Sequence, residues 1–313
     1  MKKIGLLLAL IVSFCFADDM DIAKEAYEAS EYQKAFKYFQ QACDAKNMAA
    51  CGALGALYYN GQGTKQNYFR AREYAQKACD GKDAGACFGL GNLYANGLGG
   101  KKDLLKAKEY FEKACRDGDV LGCGALGFAY NEGRGVEQDY AKAKEHFEKA
   151  CDGKVAESCF DLGILYKNAQ GVEQDYAKAK EYFEKACNAK VVESCVNLAL
   201  LYTKAEGVEQ DYAKAKVYFE KACNDKNMEG CYNLGLFYAK GQSVKKDYLK
   251  AKEYLQKACE GGYTIACSNL GLFYTEGLGV KKDELKAKEY YGKACEGGYR
   301  AACSNLVLMD DTE

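Results

Sequence analysis

Cysteine recurs along this chain with a period that leaves few folds open. The positions are Cys43, Cys51, Cys79, Cys87, Cys115, Cys123, Cys151, Cys159, Cys187, Cys195, Cys223, Cys231, Cys259, Cys267, Cys295 and Cys303. A pair eight residues apart returns every 36 residues with no insertion. A fixed period of this length marks an array of identical small modules, each too small to bury its own apolar surface and stable only when stacked on its neighbours. Other columns keep the register. Tyrosine stands at Tyr58, Tyr94, Tyr130, Tyr166, Tyr202, Tyr238 and Tyr274, with a leucine four residues before each, from Leu54 to Leu270.

Each module reads as two helices. The first covers roughly Glu157 to Lys167, where Leu162, Leu165 and Tyr166 recur at helical spacing. The second covers about Tyr176 to Cys187, with Ala179, Tyr182, Phe183 and Ala186 as its buried stripe. Asp175 precedes the second helix as its N-cap, a role shared by Asp103, Asp139, Asp211, Asp247 and Asp283. Between the helices lies a glycine turn such as Gly133-Arg134-Gly135. Ala169 and Ala205 replace its first glycine and Ser243 its second, so those turns are expected to differ slightly. Gly163 and its equivalents on first helices, with Ala179 and its equivalents on second helices, permit close crossing. The expected fold is all-α, an α/α solenoid of 36-residue helix pairs forming a superhelical rod, each pair stapled by a disulfide. The chain has no proline to interrupt it.

Two bridging schemes are open to the cysteines. Cys43 can pair with Cys51 across the short turn between modules, or Cys51 can pair with Cys79 within a module. The second scheme orphans Cys43 and Cys303; the first leaves no free thiol and is preferred. Zinc sites want closer cysteines or histidine partners, and redox catalysis wants Cys-x-x-Cys; neither pattern occurs, so no metal and no cofactor is expected.

The amino end sets the expected compartment. Lys2 and Lys3 precede an apolar run from Ile4 to Phe16, followed by Ala17 and the acids Asp18 and Asp19. That order is a secretory signal peptide with cleavage after Ala17. Bulky Phe14 argues against Cys15 as a lipidation site. The expected organisation is a signal peptide over 1–17, a capping helix pair over 18–44, seven repeats over 45–296 and a capping helix over 297–313. The product would be secreted or periplasmic, where disulfides persist. Basic and acidic residues number 44 and 45, which gives no reason to expect nucleic acid or membrane insertion. A monomer is expected.

The unit Ala-Cys-x-x-Leu-Gly-x-x-Tyr, then Gly-x-Gly-Val-x-x-Asp, then Lys-Ala-x-x-Tyr-Phe-x-Lys-Ala-Cys resembles the Sel-one-like repeat, and its cysteine spacing is similar to that of the Helicobacter cysteine-rich proteins. The resemblance covers nearly all of the chain after the leader. It implies a tetratricopeptide-related solenoid whose first helices line a concave face that binds extended peptides. It also implies a second function, since members of that family are described as penicillin-binding proteins or β-lactamases, enzymes that would hydrolyse a β-lactam amide.

The residues speak against catalysis. The one Ser-x-x-Lys, Ser243 to Lys246, falls in an inter-helix turn, with no Ser-Asp-Asn or Lys-Thr-Gly beside it. The single histidine, His146, stands in a column of tyrosines and reads as a packing aromatic. A binding role has a better candidate. Two residues after the first-helix cysteine stand Asp161, Asn197, Asn233, Asn269 and Asn305, where earlier units carry Ala53, Gly89 and Ala125. Asparagine donates and accepts at once, so such a ladder suits an extended peptide backbone or a glycan. The expected partner is a peptide, a protein or a peptidoglycan-like ligand, to which the family resemblance adds β-lactams. The competing reading is that these amides bond neighbouring backbone.

Overall fold

The computed structural model describes residues 19–310. The expected leader, with Cys15 and the cleavage site, lies outside the described residues, as do residues 311–313. The described residues carry helices alone. They form two compact units divided between Ser158 and Cys159. The first holds α1 (residues 19–28), α2 (Tyr32–Asp44), α3 (Met48–Asn60), α4 (Tyr68–Asp80), α5 (Ala84–Asn96), α6 (Leu104–Arg116), α7 (Val120–Glu132) and α8 (Tyr140–Asp152). The division falls inside α9 (Ala156–Asn168). The second holds α10 (Tyr176–Asn188), α11 (Val192–Lys204), α12 (Tyr212–Asn224), α13 (Met228–Lys240), α14 (Tyr248–Glu260), α15 (Thr264–Glu276), α16 (Glu284–Glu296) and α17 (Arg300–Asp310). No described helix is long and apolar enough to cross a membrane.

Caps set the boundaries. Asp103, Asp139, Asp175, Asp211, Asp247 and Asp283 each accept a hydrogen bond from the backbone N–H three residues on, which satisfies a donor that the first helical turn leaves unpaired. Asn67 does the same for α4. First helices are capped too: Asn47, Asp83, Asp119 and Asn227 accept at α3, α5, α7 and α13. First helices end on a left-handed residue, as at Gly133 and Gly277. Ala169, Ala205 and Ser243 adopt that same conformation at φ 56°, 59° and 57°, so the turns that were expected to differ do not. Neighbouring repeats hold the geometry against the Cβ strain.

A tighter turn joins each second helix to the next first helix. Lys46 N–H donates to Cys43 O at 3.0 Å and Asn47 N–H to Ala42 O at 3.0 Å, the two bonds of a Schellman ending. Its left-handed slot holds Lys46, Lys82, Lys154, Lys190 and Lys226 in five repeats and glycine at Gly118, Gly262 and Gly298. The disulfides clamp this turn. Cys43–Cys51, Cys79–Cys87 and Cys115–Cys123 lie in the first unit; Cys187–Cys195, Cys223–Cys231, Cys259–Cys267 and Cys295–Cys303 lie in the second. Their Cα–Cα distances run from 4.4 to 4.9 Å, within the range an unforced bridge needs. Cys151 and Cys159 are disulfide-bonded as well. The bridge across the turn is therefore the scheme adopted, and Cys51 does not reach for Cys79.

Within a module, glycine lets an aromatic ring lie on the first helix. A methyl placed on Gly127 would come within 2.6 Å of the Phe147 ring, and one on Gly163 within 2.5 Å of the Phe183 ring. Phe147 and Phe183 are fully buried. A second column of rings stacks alongside: Tyr58 on Tyr74, Tyr94 on Tyr110, Tyr166 on Tyr182, Tyr202 on Tyr218, Tyr238 on Tyr254 and Tyr274 on Tyr290. A lysine near the start of the second helix sits over the first tyrosine, as Lys142 does over Tyr130 at 5.3 Å and Lys178 over Tyr166 at 5.0 Å.

Successive second helices are tied to one another. Lys77 donates to Cys43 O at 3.4 Å, Lys221 to Cys187 O at 2.8 Å and Lys257 to Cys223 O at 3.1 Å. Each thus adds a second donor to a carbonyl that already accepts a backbone N–H in the turn closing the preceding second helix. Other lysines pair along their own helices, as Lys149 does with Glu145 and Lys185 with Glu181, and Lys113 of α6 reaches Asp80 of α4. These exposed pairs contribute a few tenths of a kcal/mol each, roughly. The Lys-Ala-Lys-Glu runs are thus solvated faces with a structural fringe.

Candidate ligand-binding face

First helices contact one another within the first unit, α3 against α5 and α5 against α7, and form a row. That row holds a groove of ≈ 630 Å³ between α3 and α5, with α4 as its floor. The size falls within the roughly 300–1,000 Å³ usual for ligand sites. The walls are small, with Gly52, Ala53 and Ala56 on α3 and Gly89 on α5, and Ala75 of α4 lies beneath. A methyl on Gly89 would meet nothing within 4 Å, so the space over α5 is open. The rim is polar: Tyr59 and Asn60 from α3, Asn92 and Asn96 from α5. Asn96 donates to Asn92 O at 2.9 Å and Asn60 to Gln62 Oε1 at 3.2 Å. Asp83 is the one charged side chain in the lining.

The asparagine column falls in the second unit, and its amides are already engaged. Asn197 Nδ2 donates to Glu193 O at 3.0 Å, and Asn233 Nδ2 to Glu229 O at 2.9 Å, each one turn back on its own helix. Asn197 Oδ1 accepts from Lys167 Nζ at 2.8 Å. Asn269 Nδ2 donates to the Tyr232 hydroxyl at 3.3 Å. Asp161 has interactions of its own, and Asn305 lies half-buried on α17. The column is a row of half-buried polar groups on first helices. Its donors serve the fold.

Charge and aromatics accompany this column. Burial lowers the Lys167 amine below its ordinary value, and Lys204 nearby lowers it further. Tyr232 and Tyr263 stack at 5.0 Å in a tilted pair, and burial raises both phenols. The surface therefore offers amides, two aromatic faces and a cationic corner, a set that suits an extended chain carrying carboxylates.

Catalytic groups are not brought together. Ser243 sits at φ 57° in a turn, so Lys246 is not one helical turn along from it. His146 stacks on Tyr130 at 5.7 Å and 7°, the tyrosine-pair geometry of the other repeats, with Nδ1 3.9 Å from Cys115 Sγ. Burial lowers its pKa below the ordinary 6.5, with Lys149 acting in the same direction. The neutral ring is therefore favoured by folding. As pH falls through the ordinary value, the unfolded chain takes up the proton first and stability drops. His146→Tyr is expected to keep the stack and remove this part of the acid sensitivity. Thermal midpoints at pH 7.5 and 5.5 should differ less in the variant than in the parent, and equal differences would refute the assignment.

Sequence reasoning did not find the groove. Its signal lay in the columns: Ala53 and Gly89 were noted only as lacking the amide, yet their small size is what opens the space.

Comparison with known proteins agrees with the fold. The Sel1 repeat model matches residues 29–47, 49–83, 84–119, 121–155, 156–191, 192–227, 229–263 and 264–299. A crystal structure of c5321, described as a protective antigen present in uropathogenic Escherichia coli strains and displaying an SLR fold, superposes with a TM-score of 0.89. It is 29% identical and covers 96% of this chain and 66% of its own. The Helicobacter pylori protein "Putative beta-lactamase HcpC" is 39% identical over 46 residues, which are 15% of this chain and 16% of that relative. The chain thus spans only a small part of that relative's length in the match. Helicobacter pylori cysteine rich protein B is 36% identical, covering 41% of this chain and 92% of its own, with a TM-score of 0.35.

Proposed function

The chain belongs to the Sel1-repeat family, in its Helicobacter cysteine-rich branch, and from that premise we propose that it is an exported, disulfide-braced scaffold whose first-helix faces bind an extended peptide or protein segment. The observation that carries this reading is the ≈ 630 Å³ groove between α3 and α5 with its rim of asparagines. Helices hold the groove walls, disulfides hold the turns between helices, and little ordering cost remains to be met on binding. Export is supported by the bridged cysteines and by the basic-apolar-small order of residues 1–17.

The amide row from Asp161 to Asn305 extends the same kind of surface in the second unit. Glycans of the cell wall are the other chemistry that amides and tyrosines hold well. Hydrolysis of a β-lactam finds no support in Ser243, whose turn cannot present a serine and a lysine on one helix face.

The test uses the oxidised protein and ligands recovered from host-cell and peptidoglycan fractions. Asn197→Ala, Asn233→Ala and Asn269→Ala together should cut affinity at least tenfold and leave the helical circular dichroism unchanged, because Asn197 and Asn233 donate only to carbonyls already within their own helices. Unchanged affinity would remove the amide row from the binding surface.

A further inference from the structure

We infer that the groove of the first unit is an anchor pocket for an aromatic side chain flanked by a positive charge on a bound peptide. The inference rests on the proposed binding role and specifies its chemistry. It comes from comparing the α3–α4 module with its own sister modules. The floor position Ala75 corresponds to Phe39, Phe111, Phe147, Phe183, Phe219, Leu255 and Tyr291. The wall position Gly52 corresponds to Phe88, Phe160 and Tyr232 in three sisters, to glycine again at Gly124, and to Val196, Ser268 and Ser304 elsewhere. In two sisters those columns meet as ring pairs, Phe88 with Phe111 at 6.0 Å and Phe160 with Phe183 at 6.0 Å. The α3–α4 module lacks both rings.

The helices have not closed over the loss. A methyl on Gly55 would lie 3.3 Å from the Ala71 carbonyl oxygen, against 3.2 Å for Gly91 and the Ala107 carbonyl oxygen in the next module. The backbones keep the separation of a module that contains its ring, and the volume survives as the groove. Close packing normally fills such a space from within. An aromatic ring from outside fits the slot that the chain's own phenylalanines define.

Charge narrows the partner. No lysine or arginine lines the groove, and the one charged group there is Asp83. Asp83 Oδ1 accepts from Ala86 N–H at 2.8 Å to cap α5. Its Oδ2 lies 3.5 Å from where a Gly52 side chain would begin, over the place of the missing ring. A cation beside the inserted ring would meet this carboxylate in a half-enclosed site. The Asn92 and Asn96 amides lie on the same wall for the peptide backbone.

The experiment titrates the oxidised full chain with three capped tetrapeptides, Ala-Phe-Lys-Ala, Ala-Ala-Lys-Ala and Ala-Phe-Ala-Ala, followed by amide chemical shifts. The Phe-Lys peptide should bind at least tenfold more tightly than the Ala-Lys peptide and should shift α3 and α5 amides. Ala75→Phe should abolish that preference while the thermal midpoint holds or rises, since the ring restores the sister arrangement. Gly89→Leu, placed where nothing clashes, should block the mouth independently and covers the case in which Ala75→Phe folds poorly. Asp83→Asn keeps the cap, as Asn47 and Asn227 do elsewhere. It should weaken the Phe-Lys peptide several-fold and leave the Phe-Ala peptide unchanged. Equal binding of the Phe and Ala peptides, no binding of either, or full affinity in both filled variants would overturn the anchor. Binding that survives the filled variants and is lost in the triple asparagine variant would overturn the anchor alone and leave the broader binding role standing.

Discussion

Reducing the disulfides will lower the thermal midpoint of this protein steeply, by up to about 20–40 °C. Each bridge closes a loop of about nine residues, and the chain-entropy relation gives about 2.5 kcal/mol for such a loop. The second unit holds four bridges, from Cys187–Cys195 to Cys295–Cys303, hence about 10 kcal/mol as an upper bound. Residual structure in the unfolded chain subtracts from it. At roughly 2–4 °C per kcal/mol for a unit of this size, the loss is large against an ordinary domain's whole stability of about 5–15 kcal/mol. The bridges brace the turn that passes the chain from one module to the next, so loss of a single bridge should act locally. Calorimetry with and without a reductant that leaves other groups untouched reads the effect. A shift under 5 °C, roughly a few kcal/mol at most, would mean that the helices stack without covalent help.

Phe183→Ala will destabilise the second unit by about 3–5 kcal/mol. The ring is wholly buried, lies against Gly163 and meets Phe160 at 6.0 Å. Removing it takes away the transfer free energy of a phenyl group and leaves a hole between two helices that cannot collapse while caps and bridges fix their ends. Because each module touches only its neighbours, protection from hydrogen exchange should fall first in α9 and α10. Chemical denaturation measures the total. A cost below about 1 kcal/mol would show that the module closes over the gap. The α3–α4 module, with Ala75 in the same column, keeps its spacing and argues for the larger figure.

The repeat could be read from the sequence because its period is rigid. Tyr58 to Tyr274, the aspartate caps and His146 as a stand-in tyrosine all follow from columns that lack insertions, and the structure places each as its column requires. The turn lysines were harder to see. Lys46 and Lys190 occupy a left-handed slot that lysine alone does not signal, and the clue was the glycine that replaces it at Gly118, Gly262 and Gly298. Lys77, Lys221 and Lys257 reach carbonyls one module back. That reach depends on how modules stack, which no single column states.

The candidate site was legible only in part. The asparagine column was visible as a change of chemistry from Ala53 to Asn233, but its amides turn back onto Glu193 O and Glu229 O, a choice made by side-chain rotamer. The groove arises from absent atoms. Gly52 and Ala75 are unremarkable as helix residues, and their meaning appears only when Phe88 and Phe111 show what belongs in the space.

Peptide mapping of the unreduced protein by mass spectrometry tests the covalent frame on which the proposed binding face depends. The predicted map joins each cysteine to the one eight residues on, as in Cys43–Cys51 and Cys187–Cys195, with no thiol left to alkylate. Free thiols throughout, or peptides joining Cys51 to Cys79, would contradict it.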